Sequence, residues 1–174
     1  KRIYSNLYKK ISKTDVRKGW FAPQDPTELK AAVKAYGMIS GGALAAVKFH
    51  SPSTFDGDYV YLRMEDAYLM KLEALQEMGE TDKVKEGLVA FMKERDSKYD
   101  INTKSDLKEE IRLQRRIELW GEGLSFFDMK RWKVGFDRSE DGTNHLIKTG
   151  SAAGGLIFTY QIPIKELEQN PDLG

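Results

Sequence analysis

The densest run of ionisable side chains lies between Arg112 and Asp128. Arg115, Glu118 and Glu122 fall at i, i+3 and i+7, on one face of a helix. Asp128 and Arg131 make a further i, i+3 pair. Two carboxylates can hydrolyse a glycosidic bond when one protonates the leaving oxygen and the other attacks or activates water. Such a pair flanks the bond at roughly 5 to 9.5 Å, and its members usually come from different elements. Glu118 and Glu122 sit one turn apart beside several arginines. That arrangement predicts an ionised, ion-paired and structural network.

Other chemistries find less support. His50 and His145 stand in loop-like segments, without a second ligand at helical metal-binding spacing, so no metal site is expected. No nucleophile elbow supports a Ser-His-Asp arrangement. Gly150-Ser151-Ala152-Ala153-Gly154-Gly155 lacks the lysine, hydroxyl and helix start of a phosphate loop. Gly121-Glu122-Gly123 fails the dinucleotide fingerprint because Phe126 occupies its last position. No cofactor is expected.

Aromatic side chains offer a binding chemistry instead. Sugar rings present apolar C–H faces that stack on exposed aromatics, while amides and carboxylates hold the hydroxyls. Trp20-Phe21 and the Phe49–Tyr61 region lie in non-helical segments, where binding residues concentrate, and Trp20, Phe21 and Tyr59 are the carbohydrate-binding candidates. Core packing is the competing role. Trp120 and Trp132 fall on apolar helix faces and are expected in the core.

The totals constrain the partners. The 174 residues suit one domain or a large piece of one. The 28 basic and 27 acidic residues leave a net charge of +1, which argues against nucleic acid as the main partner. With no cysteine, disulfides and thiolate sites are excluded. No apolar run approaches the ~20 residues of a membrane-spanning helix. The chain starts at Lys1, so neither an address signal nor a lipid anchor can be read from its beginning.

Helical spacing dominates the elements that must position these residues. Asp25-Pro26 predicts a capped helix start running to Tyr36. Segments 43–49 and 59–62 read as short strands around a turn-rich stretch. A helical hairpin is predicted over 63–95, with Met64, Ala67, Tyr68, Met70, Leu72, Ala74, Leu75 and Met78 apolar on its first helix. Gly79 stops that helix and Thr81 caps the second, whose face carries Val84, Leu88, Phe91 and Met92. Ser105 caps a third helix reaching about Trp120, and a fourth spans about 124–132. Residues 133–155 read as loop and 156–162 as a strand. Pro163 opens a last helical turn that Asn170-Pro171 ends.

Six segments, in order, resemble the SusD/RagB family. They are Thr14-Asp15-Val16-Arg17, Val47-Lys48-Phe49, the helix from Tyr61 to Ala74, Arg115-Arg116-Ile117-Glu118-Leu119-Trp120-Gly121-Glu122-Gly123, Phe127-Asp128-Met129-Lys130-Arg131-Trp132, and Ile162-Pro163-Ile164 through Asn170-Pro171. Departures at Asp66, Leu72, Gln114 and Ser125-Phe126, and across 88–101, mark a divergent branch.

The resemblance implies a mainly α fold: a SusD-like C-terminal region, covering 1–174, with a helical hairpin, a brace helix pair and a few short strands. It implies a surface-exposed protein of the bacterial outer membrane, held by a lipid anchor not in this chain. Such a protein binds oligosaccharide or polysaccharide without cleaving it and delivers it to a SusC-like TonB-dependent transporter. Two alternatives stand beside it: a helical-repeat adaptor gripping another protein through the 63–95 hairpin, and a glycoside hydrolase using Glu118 and Glu122.

Overall fold

The computed structural model describes residues 1–23, 25–29, 43–49, 60–139, 149–150, 162–170 and 172. The fold is mainly helical, and the chain divides into two compact units, Lys1–Gly123 and Leu124–Gly174.

The first unit opens with helix α1 (Ser5–Lys10) and a 3-10 turn (Val16–Trp20) capped by the Asp15 side chain. Lys18 lies over the Tyr8 ring, and its Nζ donates to the Ile11 carbonyl at 2.5 Å, satisfying the C-terminal end of α1. Segment 43–47 threads between the two chain stretches around Arg2 and Phe21. Isolated bridges join Arg2 to Ala45 and Phe21 to Ala46. The strand expected over 43–49 therefore reduces to single rungs. Leu44 stands at φ 63, a left-handed conformation that a strand cannot carry through. The expected strand at 59–62 is likewise absent from its described part, 60–62, which is irregular. Asp25 caps as predicted, accepting from the backbone N–H of Thr27 and Glu28. The helix it opens is described over 26–29, and the rest of the expected span lies outside the described residues.

The helical hairpin is formed by α2 (Met64–Glu77) and α3 (Thr81–Met92). Gly79, at φ 77, turns the chain. Its N–H donates to the Gln76 carbonyl and the Glu80 N–H to the Leu75 carbonyl, the paired bonds of a Schellman stop. Thr81 is the first helical residue rather than the cap; Glu80 holds the cap position without a side-chain bond. Helix α4 (Leu107–Glu118) follows. Its cap is Asp106, one residue beyond the expected Ser105, accepting from the Glu109 N–H at 3.0 Å.

Two apolar clusters fill this unit. Leu69, Leu72, Val84, Leu88 and Met92 pack with Ile111 in one. Ile3, Leu7, Ile11, Phe21 and Leu44 pack with Ile117 in the other. Burying each large aliphatic contributes about 1.5–3 kcal/mol. Helix α4 supplies both clusters, because Ile111 and Ile117 project about 120° apart at 3.6 residues per turn. The arc between and beside them buries Glu110, Gln114, Arg115 and Glu118. On α2 the expected core face rotates. Leu69 and Leu72 point in, while Met64, Met70 and Met78 are exposed. Apolar residues on nearly every side of α2 offered competing stripes, and contact with α3 and α4 selects one.

The second unit contains α5 (Ser125–Trp132), ended by Lys133 in a left-handed conformation. A two-residue antiparallel ladder pairs β1 (Phe136–Asp137) with β2 (Thr149–Gly150), in the register Phe136 to Gly150 and Asp137 to Thr149. The stretch 133–155, expected as loop, thus contains this ladder. Asp128 and Arg131 form the expected pair at 3.0 Å. Helix α6 (Ile164–Gln169) starts after Pro163 and ends at Asn170. The expected strand 156–161 lies outside the described residues, and Ile162 is not in a strand.

Candidate functional site

The residues first considered for chemistry meet at the C-terminal end of α4. Glu118 is 1 % exposed. Its Oε1 accepts from Arg63 Nη2 at 2.5 Å. Its Oε2 accepts from Arg95 Nε at 2.8 Å and from Arg17 Nη1 at 3.2 Å. Burial by itself pushes this carboxyl up. The hydrogen bond from Arg95 and the charges of Arg95, Arg17 and Arg63 outweigh it and hold the group below the usual carboxylate range. Glu118 is therefore ionised, with both oxygens engaged.

Each arginine has further partners. Arg17, almost wholly buried, grips Asp15 through Nε at 3.0 Å and Nη2 at 2.7 Å, and donates to Gln114 Oε1 at 2.5 Å. Arg63 reaches Glu122 Oε1 at 2.6 Å and Glu65 at 3.3 Å. Arg95 donates to the Phe91 carbonyl at 2.8 Å, and its guanidinium lies 3.8 Å from the Phe91 ring centroid.

Lys48 completes the end of the helix. Its three ammonium protons have three acceptors: the Glu118 carbonyl at 2.6 Å, the Trp120 carbonyl at 3.2 Å and Glu122 Oε1 at 2.6 Å. A cation at the terminal carbonyls also opposes the negative end of the helix dipole. Burial pulls the Lys48 ammonium below the ordinary lysine range, against the opposing pull of Glu122.

The geometry does not suit a carboxylate pair for glycoside hydrolysis. A general acid must hold a proton, and Glu118 is kept ionised by three guanidinium groups. The face that sequence spacing assigned to Arg115 with Glu118 also divides. Arg115 turns to Asp66 at 2.5 Å, and the partners of Glu118 come from residues 17, 63 and 95. Spacing within one helix could not reveal them. Three of the four cations around the two glutamates nevertheless sit in the short segments that carry the family resemblance: Asp15-x-Arg17, Val47-Lys48-Phe49 and Leu62-Arg63.

The aromatic candidates separate. Phe21 is 2 % exposed, edge-on to Trp120 at 5.0 Å and to Tyr8 at 6.5 Å. It is a core residue with no face for a sugar, which corrects its assignment to binding. Trp20 is half-buried, with Lys48 Nζ 4.7 Å from its ring centroid. Tyr59, His50 and His145 lie outside the described residues. Phe49, at the start of the expected 49–61 region though not one of the three named candidates, is 54 % exposed and stacks on Trp120 at 6.5 Å with 22° between the rings. A groove of about 310 Å³ runs along the hairpin, lined by Met64, Glu65, Tyr68, Ala90, Phe91 and Arg95, and shares Glu65 and Arg95 with this network.

The SusD family model matches residues 9–173, nearly the whole chain. The chain belongs to the SusD family. Among solved structures, it is similar to a SusD-like carbohydrate binding protein from Bacteroides vulgatus ATCC 8482, with a TM-score of 0.66 at 21 % identity. The alignment covers 99 % of this chain and 41 % of that one, so the chain spans well under half the length of that protein. No curated protein matches the sequence. Gln114 links Arg17 to helix α4. Its Oε1 accepts from Arg17, while its amide donates to Glu110 Oε1 at 2.8 Å, one turn back along α4.

Proposed function

We propose that this chain serves in non-catalytic capture of oligosaccharide or polysaccharide. The observation that carries the reading is the SusD family match over residues 9–173, since that resemblance implies glycan binding. The carbohydrate-binding relative supports the same reading. The state of Glu118 supports the absence of bond cleavage, because its acid–base capacity is spent on three arginines. The proposal extends to a place at the bacterial outer membrane, through a lipid anchor outside these residues, and to delivery to a SusC-like TonB-dependent transporter. Titration calorimetry against plant, microbial and host glycans tests the binding, with saturable heats from at least one class expected. Co-purification of a TonB-dependent transporter with the tagged protein, from solubilised outer membranes of its own host, tests the delivery. Absence of any glycan binding would overturn the reading.

One feature favours a second reading. The groove beside Tyr68 and Phe91 continues onto exposed Met64, as a helical-repeat unit would present to a partner helix. A protein partner whose capture is lost in Met64→Glu, and is indifferent to added glycans, would support that reading over the first.

A further inference from the structure

We infer that the sugar-stacking surface of this chain is centred on Phe49 against Trp120, beside Glu122. The inference rests on the glycan-capture reading and gives it a location. A ring that receives a sugar must be exposed enough to offer a face and held firmly enough to keep it in place. Among the described residues, Phe21 fails the first condition, being almost wholly buried against Tyr8 and Trp120. Tyr61, 86 % exposed, fails the second, with no ring contact among the described residues.

Phe49 meets both. More than half of it is open, yet Trp120 stacks beneath it and Lys48 Nζ lies 5.2 Å from its centroid. Gly121 makes the seat. A Cβ built there would come within 2.6 Å of the Phe49 ring, and the backbone at φ +80 is one that residues with side chains rarely adopt. Trp120 is fixed in turn by its edge contact with core Phe21. The platform is thus tied through Trp120 to the interior and through Lys48 to the end of α4.

Polar recognition has a group at hand. Glu122, partly exposed, takes Lys48 and Arg63 on Oε1. Among the described residues its Oε2 accepts no hydrogen bond, so Oε2 can receive a sugar hydroxyl. An aromatic face with an adjacent carboxylate oxygen fits a pyranose with an apolar C–H face and an equatorial hydroxyl at its edge. Lys48 and Arg63 are already paired with Glu122 and Glu118, so neither is an unpaired cation for an acidic sugar.

The test uses the full-length protein and an array that holds neutral α-glucan, β-glucan, xylan and mannan oligosaccharides together with acidic glycans, the neutral set being the one the inference concerns. The tightest array binder is then titrated against wild type, Phe49→Leu and Phe49→Tyr. Leucine keeps an apolar contact with Trp120 and removes the aromatic face; tyrosine keeps the face. Phe49→Leu should bind roughly tenfold more weakly, with an unchanged melting temperature, and Phe49→Tyr within about twofold of wild type. Equal affinity of Phe49→Leu and wild type would overturn this location while leaving glycan capture intact. Equal loss in both variants would also overturn it, because the aromatic face would not be what binds. No binding by wild type to any neutral glycan would remove the inference, and acidic glycans on the same array would show whether the broader reading falls with it.

Discussion

Replacing Glu118 by glutamine tests the brace most sharply. The side chain keeps its size and loses its charge. Around it stand Arg17, Arg63, Arg95 and Lys48, balanced by Asp15, Glu65, Glu118 and Glu122. Removing one negative charge leaves that cluster a net positive charge in a largely buried place. One carboxylate oxygen also becomes an amide group that points protons at a guanidinium. Arg17 retains Asp15 and Gln114, and Arg63 retains Glu122, so neither is stripped of partners. Breaking one member of such a buried set costs about 3–5 kcal/mol. In a chain of this size that is a fall in melting temperature of roughly 6–20 °C. Urea unfolding at neutral pH reads the loss directly. The pH dependence adds a signature. Glu118 titrates lower in the folded than in the unfolded chain, so its contribution is present above the unfolded carboxylate value, about 4.3, and fades as pH falls through the lower folded value. Wild type and Glu118→Gln should therefore converge in stability on acidification. A variant as stable as wild type at pH 7 would refute the reasoning. So would a fully folded variant that had lost a glycan-hydrolysing activity present in wild type.

Three further outcomes are expected. Leu88→Ala, which empties the hairpin core where Leu88 is fully buried, should cost about 2–5 kcal/mol in urea unfolding. Asp106→Ala removes the side-chain cap of α4 at its N-terminus and should cost about 1 kcal/mol, read by the same assay. Gly121→Ala meets both a left-handed backbone and the Phe49 ring. It should lower stability by about 1 kcal/mol or more and weaken glycan binding together with Phe49→Leu.

The sequence carried the helices well, because their signals are local. Gly79 at the end of α2, the Val84, Leu88, Phe91 and Met92 face of α3, and the Asp128–Arg131 pair follow from spacing within one element. It carried the contacts between elements poorly. Arg17 and Glu118 are 101 residues apart, and no periodicity joins them. The choice between Leu69 and Met70 as the inward side of α2 depends on where α3 and α4 lie, which α2 alone does not encode. Leu44 could not be foreseen at positive φ, because its apolar neighbours read as a strand. The same limit applies to Phe21 and Phe49. Both are aromatic residues in irregular chain, and only packing against Trp120 decides which is buried and which is open.

The central claim is capture without cleavage. Its most direct measurement is titration of the protein with its tightest-binding oligosaccharide, followed by long incubation and quantification of reducing ends. Saturable binding with the oligosaccharide recovered at full length is predicted. New reducing ends that depend on Glu118 or Glu122 would contradict it, as would the absence of binding to any glycan.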